Sequence, residues 1–229
     1  ALPCWEDVVA YEEQDPECIN SLQSIYPRFG LNPLVQLIAD QAKTLHGEMA
    51  DSSWPYPNIK TAQKAKGHCR RINPKARIEI QKIAGLQCLI VDASTTPIAK
   101  AFWQHTGLGA SSREASIALK TQNPPTPKKG EVARESIKNR LSTIYQCDKD
   151  LIELHPSGMA AFTTALEALQ KLKPTQPVLQ LGFPYVDVLK LPQVVFEGSE
   201  LLLNLDPTEI AKQLDKRNPS ALIVELPSN

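Results

Sequence analysis

His155-Pro156-Ser157-Gly158-Met159-Ala160-Ala161 follows a short apolar run at residues 151–154 and opens a helical pattern at residues 160–172. A Ser-Gly pair at a helix start leaves several backbone N–H groups without an acceptor inside the helix. The helix dipole adds partial positive charge at the same place, and Gly158 lets another molecule approach the backbone closely. Together these features make a suitable site for a phosphate. On these residues alone, an ordinary helix start capped by Ser157 is the simpler interpretation.

Short apolar runs alternate with helical patterns on both sides of this turn. We predict a charged amphipathic helix at residues 131–145 and a helix from Asp206-Pro207-Thr208-Glu209 to about Arg217, because that start has an N-cap, a proline and a glutamate in order. Strands are predicted at residues 177–181, 194–196, 201–203 and 221–226. The alternation predicts an α/β fold with a mainly parallel sheet and helices on both faces.

The first half of the chain is predicted to be mostly helical. Helical patterns cover residues 5–9, 34–46, 59–66, 74–84 and 97–105, and one apolar strand covers residues 86–91. Trp54-Pro55-Tyr56-Pro57 is predicted to be irregular because it contains two prolines. The Pro-rich residues 122–130 are the predicted linker. The predicted organisation is therefore a helical region at 1–121, a linker at 122–130, and the first part of an α/β domain at 131–229.

Composition and spacing exclude several classes of function. The chain has 229 residues, 42% of them apolar, and a formal net charge of zero, which is typical of a globular protein. No apolar run reaches membrane-spanning length, and five scattered cysteines without a Cys-x-x-Cys pair indicate a reducing cytoplasm. The basic residues 60–82 lack interleaved aromatic residues, so we expect a solvated helix face and no nucleic-acid partner. Four dispersed histidines predict no metal site.

Three motifs in a fixed order resemble one family of enzymes. Residues 156–161 resemble the Ser-Gly-Met-Ala-Ala phosphate turn of the pyridoxal-phosphate enzymes of cysteine and methionine metabolism. Glu225-Leu226-Pro227-Ser228-Asn229 resembles their Glu-x-Pro-x-Asn motif, and Gly182-Phe183-Pro184-Tyr185 falls where they place an aromatic ring over the cofactor. The stretch Gly182-Phe183-Pro184-Tyr185-Val186-Asp187 and the start Leu2-Pro3-Cys4-Trp5 are most similar to divergent, fungal-type cystathionine gamma-synthases. The resemblance implies an aspartate-aminotransferase-like large domain.

The resemblance also implies roles for individual residues around pyridoxal phosphate. The backbone of Gly158 and Met159, together with Ser157, would hold the phosphate. Tyr185 would stack on the pyridine ring and is the expected catalytic residue. At the end of the last strand, Glu225 would support the site and Asn229 would hydrogen-bond the phenolic oxygen. Without the resemblance, Tyr185 is simply a half-buried tyrosine at a strand end and Glu225 a charge that reaches water.

One part of the family pattern is missing. The common form has a Tyr-x-Arg pair about 30 residues before the phosphate turn, and no such pair stands there in this chain. Arg113, after Ser111-Ser112, is expected to supply the phosphate's counter-charge instead. Tyr26-Pro27-Arg28 has the right residues but lies much further upstream, and it remains the alternative.

The activity implied by the resemblance is gamma-replacement, in which cysteine displaces the acyl group of an O-acylated homoserine to give cystathionine. We expect small amino-acid substrates, a cytoplasmic homodimer or homotetramer, and no membrane or nucleic-acid partner. A cystathionine lyase, a homoserine-ester sulfhydrylase and a non-catalytic interaction module are the alternatives, and a nucleotide-binding domain is a weaker one. The family's Schiff-base lysine and pyridinium-pairing aspartate follow the Glu-x-Pro-x-Asn motif. We therefore expect this chain of 229 residues to be an N-terminal fragment that is inactive alone.

Overall fold

Two β-sheets with opposite kinds of strand pairing organise the protein in a computed structural model, which describes residues 4–13, 15–22, 30–47, 50–124, 126–173, 176–195 and 198–226. The first half of the chain comprises α1 (Trp5–Glu12), α2 (Pro16–Ser21), α3 (Pro33–His46), β1 (Ser52–Tyr56), α4 (Ile59–Ile72), β2 (Ile78–Ile83), β3 (Leu86–Val91), α5 (Thr96–Thr106) and α6 (Ser112–Ala118). The second half of the chain comprises α7 (Pro127–Tyr145), α8 (Gly158–Leu172), β4 (Val178–Leu181), α9 (Val186–Val195), β5 (Ser199–Leu202), α10 (Pro207–Arg217) and β6 (Ala221–Val224).

The first sheet is antiparallel, in the order β1-β3-β2. Only its central strand, β3, was predicted correctly. The prediction of a helix at residues 74–84 is wrong, because residues 78–83 form β2 and pair with β3 through the turn Ala84-Gly85. Both turn residues have positive φ, 50° and 101°, as a tight hairpin requires. Apolar and polar residues alternate over residues 78–81 of β2, and this period of two is the signal of a strand.

The prediction of an irregular Trp54-Pro55-Tyr56-Pro57 segment is also wrong. Residues 52–56 form β1, whose Pro55 lies opposite Cys88. Proline has no N–H to donate to a neighbouring strand. It is tolerated here because β1 pairs on one side only, with β3, so a missing donor can face away from the sheet.

The larger core lies where α3, α4 and α5 pack on this sheet. Ile38, Tyr56, Leu89 and Ile90 are fully buried, and alanines on α4 allow that helix to lie close to its neighbours. Burial raises the pKa of the Cys69 thiol to about 12 and that of Cys88 to about 11. The five cysteines are free thiols.

Arg71 connects this core to the second half of the chain, and His68 accepts a hydrogen bond from it. Arg71 donates from Nη2 to His68 Nδ1 at 3.3 Å and to the Val194 carbonyl at 3.1 Å, so it bridges α4 and α9. Burial, with a smaller effect from the Arg71 charge, lowers the pKa of His68 to about 4. A neutral imidazole is required for Nδ1 to accept the bond from Arg71.

This arrangement predicts that the protein loses stability as the pH falls from about 6.5 to about 4. In that range the unfolded chain binds a proton at His68 and the folded chain does not. Proton binding therefore stabilises the unfolded state relative to the folded one. We expect a loss of about 1–2 kcal/mol. His68→Gln, whose amide oxygen can accept from Arg71 without titrating, should flatten the dependence in urea unfolding at several pH values. An unchanged pH profile in this variant would contradict the interpretation.

The second sheet is parallel, as predicted, in the order β5-β4-β6. Its core is small: Leu166 of α8, Val178 of β4 and Leu191 of α9 are buried together. The prediction of a strand at residues 194–196 is wrong, because α9 runs to Val195 and Phe196 lies outside the described residues. Val194 is apolar for a different reason, since it packs against the larger core.

The two halves contact each other through α4, α5, α8 and α9. α5 packs on both α8 and α9, and Lys64 of α4 pairs with Glu167 of α8. α7 has no buried residue. It begins at Pro127, inside the predicted linker at residues 122–130. The division of the chain into domains remains a prediction. Within the described ranges, no helix combines the length and apolar character needed to cross a bilayer.

Candidate functional site

A pocket of about 440 Å³ lies where the two halves meet. Its wall is built largely from residues at or next to the starts of four helices and near the end of α5. Residues from the four helix starts include Asn32, Ser111, Ser157, Met159, Tyr185 and Asp187. Helix N-termini carry partial positive charge, so this pocket favours an anionic ligand.

The predicted phosphate turn forms one wall of the pocket. Ser157 is the N-cap of α8, and its Oγ accepts a hydrogen bond from the Ala160 amide at 3.1 Å. Ser157 and Gly158 are exposed, and a side-chain carbon at Gly158 would meet nothing within 4 Å. The amides of Gly158 and Met159 find no acceptor in the described part of the chain. These N–H groups are therefore available to a ligand.

Tyr185 lines the same pocket from the loop before α9. Its backbone N–H donates to the carboxylate of Glu225, which comes directly after β6. The structure thus brings Ser157, Met159 and Tyr185 to one pocket and uses Glu225 to hold the Tyr185 loop. The roles of these residues toward a cofactor remain predictions.

Arg113 and Asn229, the two other predicted site residues, are not among the described residues that line the pocket. Arg113 is exposed on α6, next to Ser111 and Ser112, and is not among the residues that line the pocket. Asn229 lies outside the described residues, as does the alternative segment at residues 26–28. The sequence predictions for Arg113 and Asn229 therefore stay predictions.

A buried histidine–aspartate pair beside the pocket was missed in the sequence. His105 Nδ1 and Asp187 Oδ1 are 2.7 Å apart, and the two side chains are 8% and 5% exposed. His105 lies in the last turn of α5 and Asp187 in the first turn of α9, so each helix dipole favours the charge that its residue carries in an ion pair. Asp187 closes the quoted Gly182–Asp187 stretch, but nothing in the sequence connects it with a histidine 82 residues earlier.

Gly107 was also missed, and it packs directly behind the phosphate turn. Its φ is 64°, and a side-chain carbon there would lie 2.7 Å from Ser157 Oγ and 2.8 Å from Met159 Cβ. Ser157 Oγ lies 3.4 Å from the Gly107 carbonyl, which accepts from it. One residue earlier, the Thr106 carbonyl accepts from Thr163 Oγ1 at 3.0 Å. The end of α5 therefore fixes the first turns of α8. Among the described side chains, no cluster of His, Cys, Asp or Glu is arranged to hold a metal ion.

Comparison with known proteins shows which proteins this chain resembles. Residues 34–111, from α3 to the start of α6, match the family model of the N-terminal domain of fungal trans-sulfuration enzymes. The cystathionine gamma-synthase of Saccharomyces cerevisiae is 29% identical over 135 residues, which cover 52% of this chain and 21% of the yeast protein. No solved structure matches the chain significantly.

Two further relatives align with the whole chain. An L-2-amino-4-chloropent-4-enoate dechlorinase/desaturase of Streptantibioticus cattleyicolor is 26% identical over 243 residues, covering 48% of that protein. A cystathionine gamma-synthase-like enzyme of Amanita muscaria is 22% identical, covering 54% of its length. The chain thus spans about half or less of the length of these relatives. The chain is therefore similar to divergent, fungal-type cystathionine gamma-synthase-like proteins.

Proposed function

We propose that the pocket between the two halves binds pyridoxal phosphate and that the protein uses it on a small amino acid with a substituent at its gamma carbon. The observation that carries this proposal is the convergence of Ser157, Met159 and Tyr185 on one pocket, together with a turn whose Gly158 and Met159 amides are free. A turn whose Gly158 and Met159 amides were bonded to acceptors of the chain itself would not have supported a ligand.

The pocket fits such a cofactor in size and in chemistry. Its volume of about 440 Å³ lies within the usual range for small-molecule sites. Two free amides and the start of a helix of 15 residues supply donors and partial positive charge for a phosphate. Tyr185 supplies a flat aromatic face, and the lining of the pocket as a whole is largely apolar.

In this proposal each residue has a defined task. The Gly158 and Met159 amides bind the phosphate together with the Ser157 hydroxyl, whose proton turns from the Gly107 carbonyl to the ligand, and Tyr185 covers the ring. Glu225 holds the Tyr185 backbone in place, and Arg113 supplies a counter-charge from α6. Asn229 hydrogen-bonds the phenolic oxygen. When bound, pyridoxal phosphate supplies an electron sink for a carbanion next to the substrate's amino group.

The proposed reaction is replacement of the acyl group of an O-acylated homoserine by cysteine, giving cystathionine. Relatives named cystathionine gamma-synthase support this choice. The relative named as an L-2-amino-4-chloropent-4-enoate dechlorinase/desaturase is named for a chlorinated amino acid and not for an acylated homoserine. Cystathionine cleavage and sulfhydrylation of a homoserine ester are therefore the competing activities. We also propose an aspartate-aminotransferase-like large domain from residue 131, a homodimer or homotetramer, and a cytoplasmic location.

Titration of the full-length protein with pyridoxal phosphate, followed by absorbance and equilibrium dialysis, tests the cofactor. We expect saturable binding, weakened about three- to tenfold by Tyr185→Ala through loss of ring stacking. Tyr145→Ala removes a tyrosine that is 70% exposed on α7 and should leave the affinity unchanged. If the wild-type protein binds no pyridoxal phosphate, the proposal fails and the interaction module is favoured.

Product analysis then separates the competing reactions. Cystathionine formed from an acylated homoserine plus cysteine supports the synthase. Cleavage of cystathionine supplied alone supports a lyase, and homocysteine formed from the ester with sulfide supports a sulfhydrylase.

A further inference from the structure

Three consecutive residues at the end of α5 each contact a different part of the second half of the chain. His105 contacts Asp187 of α9, Thr106 accepts a hydrogen bond from Thr163 of α8, and Gly107 packs on Ser157. The phosphate turn and the Tyr185 loop belong to different elements of the second half. Residues 105–107 therefore form a bridge from the first half to both walls of the pocket.

The His105 contact has a chemical consequence for the pocket. Asp187 lines the pocket and lies two residues after Tyr185, so an unpaired carboxylate there would repel an anionic ligand. A donor from His105 Nδ1, only 2.7 Å away, offsets that charge and directs the carboxylate toward α5. Because α9 begins at Val186, the same bond fixes the first turn of the helix that carries the Tyr185 loop.

We propose that His105 is a positioning residue for the ligand site, which holds the Tyr185 wall at its distance from the phosphate turn through Asp187. This inference rests on the proposed binding of pyridoxal phosphate. It gives the first half of the chain, the part that matches the fungal N-terminal domain, a direct role in ligand binding. Glu225 and His105 then restrain the Tyr185 loop from opposite ends, one at the backbone of Tyr185 and the other at Asp187.

The test uses two ligands that separate the two walls of the pocket. Inorganic phosphate probes the turn at Gly158 and Met159 alone. Pyridoxamine phosphate adds the ring that Tyr185 would cover, and it carries no aldehyde that reacts with lysine. Binding of either ligand to the full-length protein is measured by equilibrium dialysis, and quenching of the pocket-lining Trp103 gives a second readout for the ring.

Two conservative variants of His105 provide the comparison. His105→Asn places an amide donor near the position of Nδ1, whereas the longer His105→Gln places it near Nε2. The Gln variant should bind pyridoxamine phosphate about tenfold more weakly, with inorganic phosphate affinity changed less than about twofold. The Asn variant should stay close to wild type for both ligands. His46→Gln, a change at a half-buried histidine of α3 outside the pocket, is the matched control.

The possible outcomes distinguish this inference from the function on which it rests. Equal loss of affinity for both ligands in the Gln variant, or equal behaviour of Asn and Gln, would show a merely structural role and overturn the positioning role. A wild-type protein that binds inorganic phosphate but not pyridoxamine phosphate would instead overturn the proposed function. If one variant does not fold, the other is compared with wild type by the ratio of its affinity for pyridoxamine phosphate to its affinity for inorganic phosphate.

Discussion

Gly107→Ala should lower the free energy of unfolding by about 2–4 kcal/mol. Gly107 has a φ of 64°, where any residue with a side-chain carbon is strained. The added carbon would also lie within 3.0 Å of three atoms of the α8 start, Ser157 Oγ, Met159 Cβ and the Ala160 amide nitrogen. Two of these belong to the backbone or are bonded directly to it, so they cannot move without displacing the helix. The variant should therefore also weaken binding of inorganic phosphate.

Gly67→Ala is the matched control for that prediction. Gly67 lies inside α4, and a side-chain carbon there meets nothing within 4 Å. Alanine is the better helix former, so this change should stabilise the protein by up to about 1 kcal/mol. Urea unfolding of both variants measures the contrast. If both changed stability in the same direction, the close contact between Gly107 and α8 would be refuted.

His105→Leu should cost about 3–5 kcal/mol of stability, because it leaves the buried Asp187 carboxylate without its donor. The double variant His105→Leu/Asp187→Leu should recover much of this loss, since a buried pair replaced by apolar residues leaves no unpaired charge. A double-mutant cycle in urea unfolding gives the coupling energy. We expect it to be large for a pair with both side chains less than a tenth exposed.

The exposed pair Lys149–Glu135 is the comparison for this cycle. Its atoms are 3.1 Å apart, but the two side chains are 45% and 58% exposed. Solvent screens such a pair, and alanine substitutions should give a coupling of at most about 1 kcal/mol. A His105–Asp187 coupling no larger than that of this surface pair would mean that the buried contact is not what joins α5 to α9.

Local patterns were sufficient to predict most helices and the parallel strands. β3 is short, apolar and bounded by glycine, and α10 has its N-cap aspartate, proline and glutamate in order. β2 was missed because Gly85 was interpreted as a helix end, whereas it forms a hairpin with Ala84. β1 was missed because a strand that contains proline is tolerated only at the edge of a sheet. Its place at the edge depends on pairing with β3, more than 30 residues away. α9 was not predicted, and its last turn was interpreted as a strand because Val194, which packs against the larger core, is apolar.

The residues of the candidate site also fall into those that local sequence motifs predict and those that depend on distant partners. Ser157, Met159 and Tyr185 belong to motifs that carry their own signal, and the structure brings them to one pocket. His105 and Gly107 carry no such signal, because their partners lie 82 and 50 residues further along the chain. A single histidine in the last turn of an amphipathic helix is common, and only the folded arrangement shows that it contacts an aspartate beside the pocket.

The two sheets also differ in how well their outer strands are protected from other molecules. In the antiparallel sheet, Pro55 interrupts the donors of β1, and Glu79 and Lys82 place charges on β2. β6 contains neither proline nor charge over Ala221–Val224, and among the described strands it pairs only with β4. When this polypeptide is concentrated or heated, intermolecular strand addition and aggregation should therefore begin along β6, while β1 stays resistant.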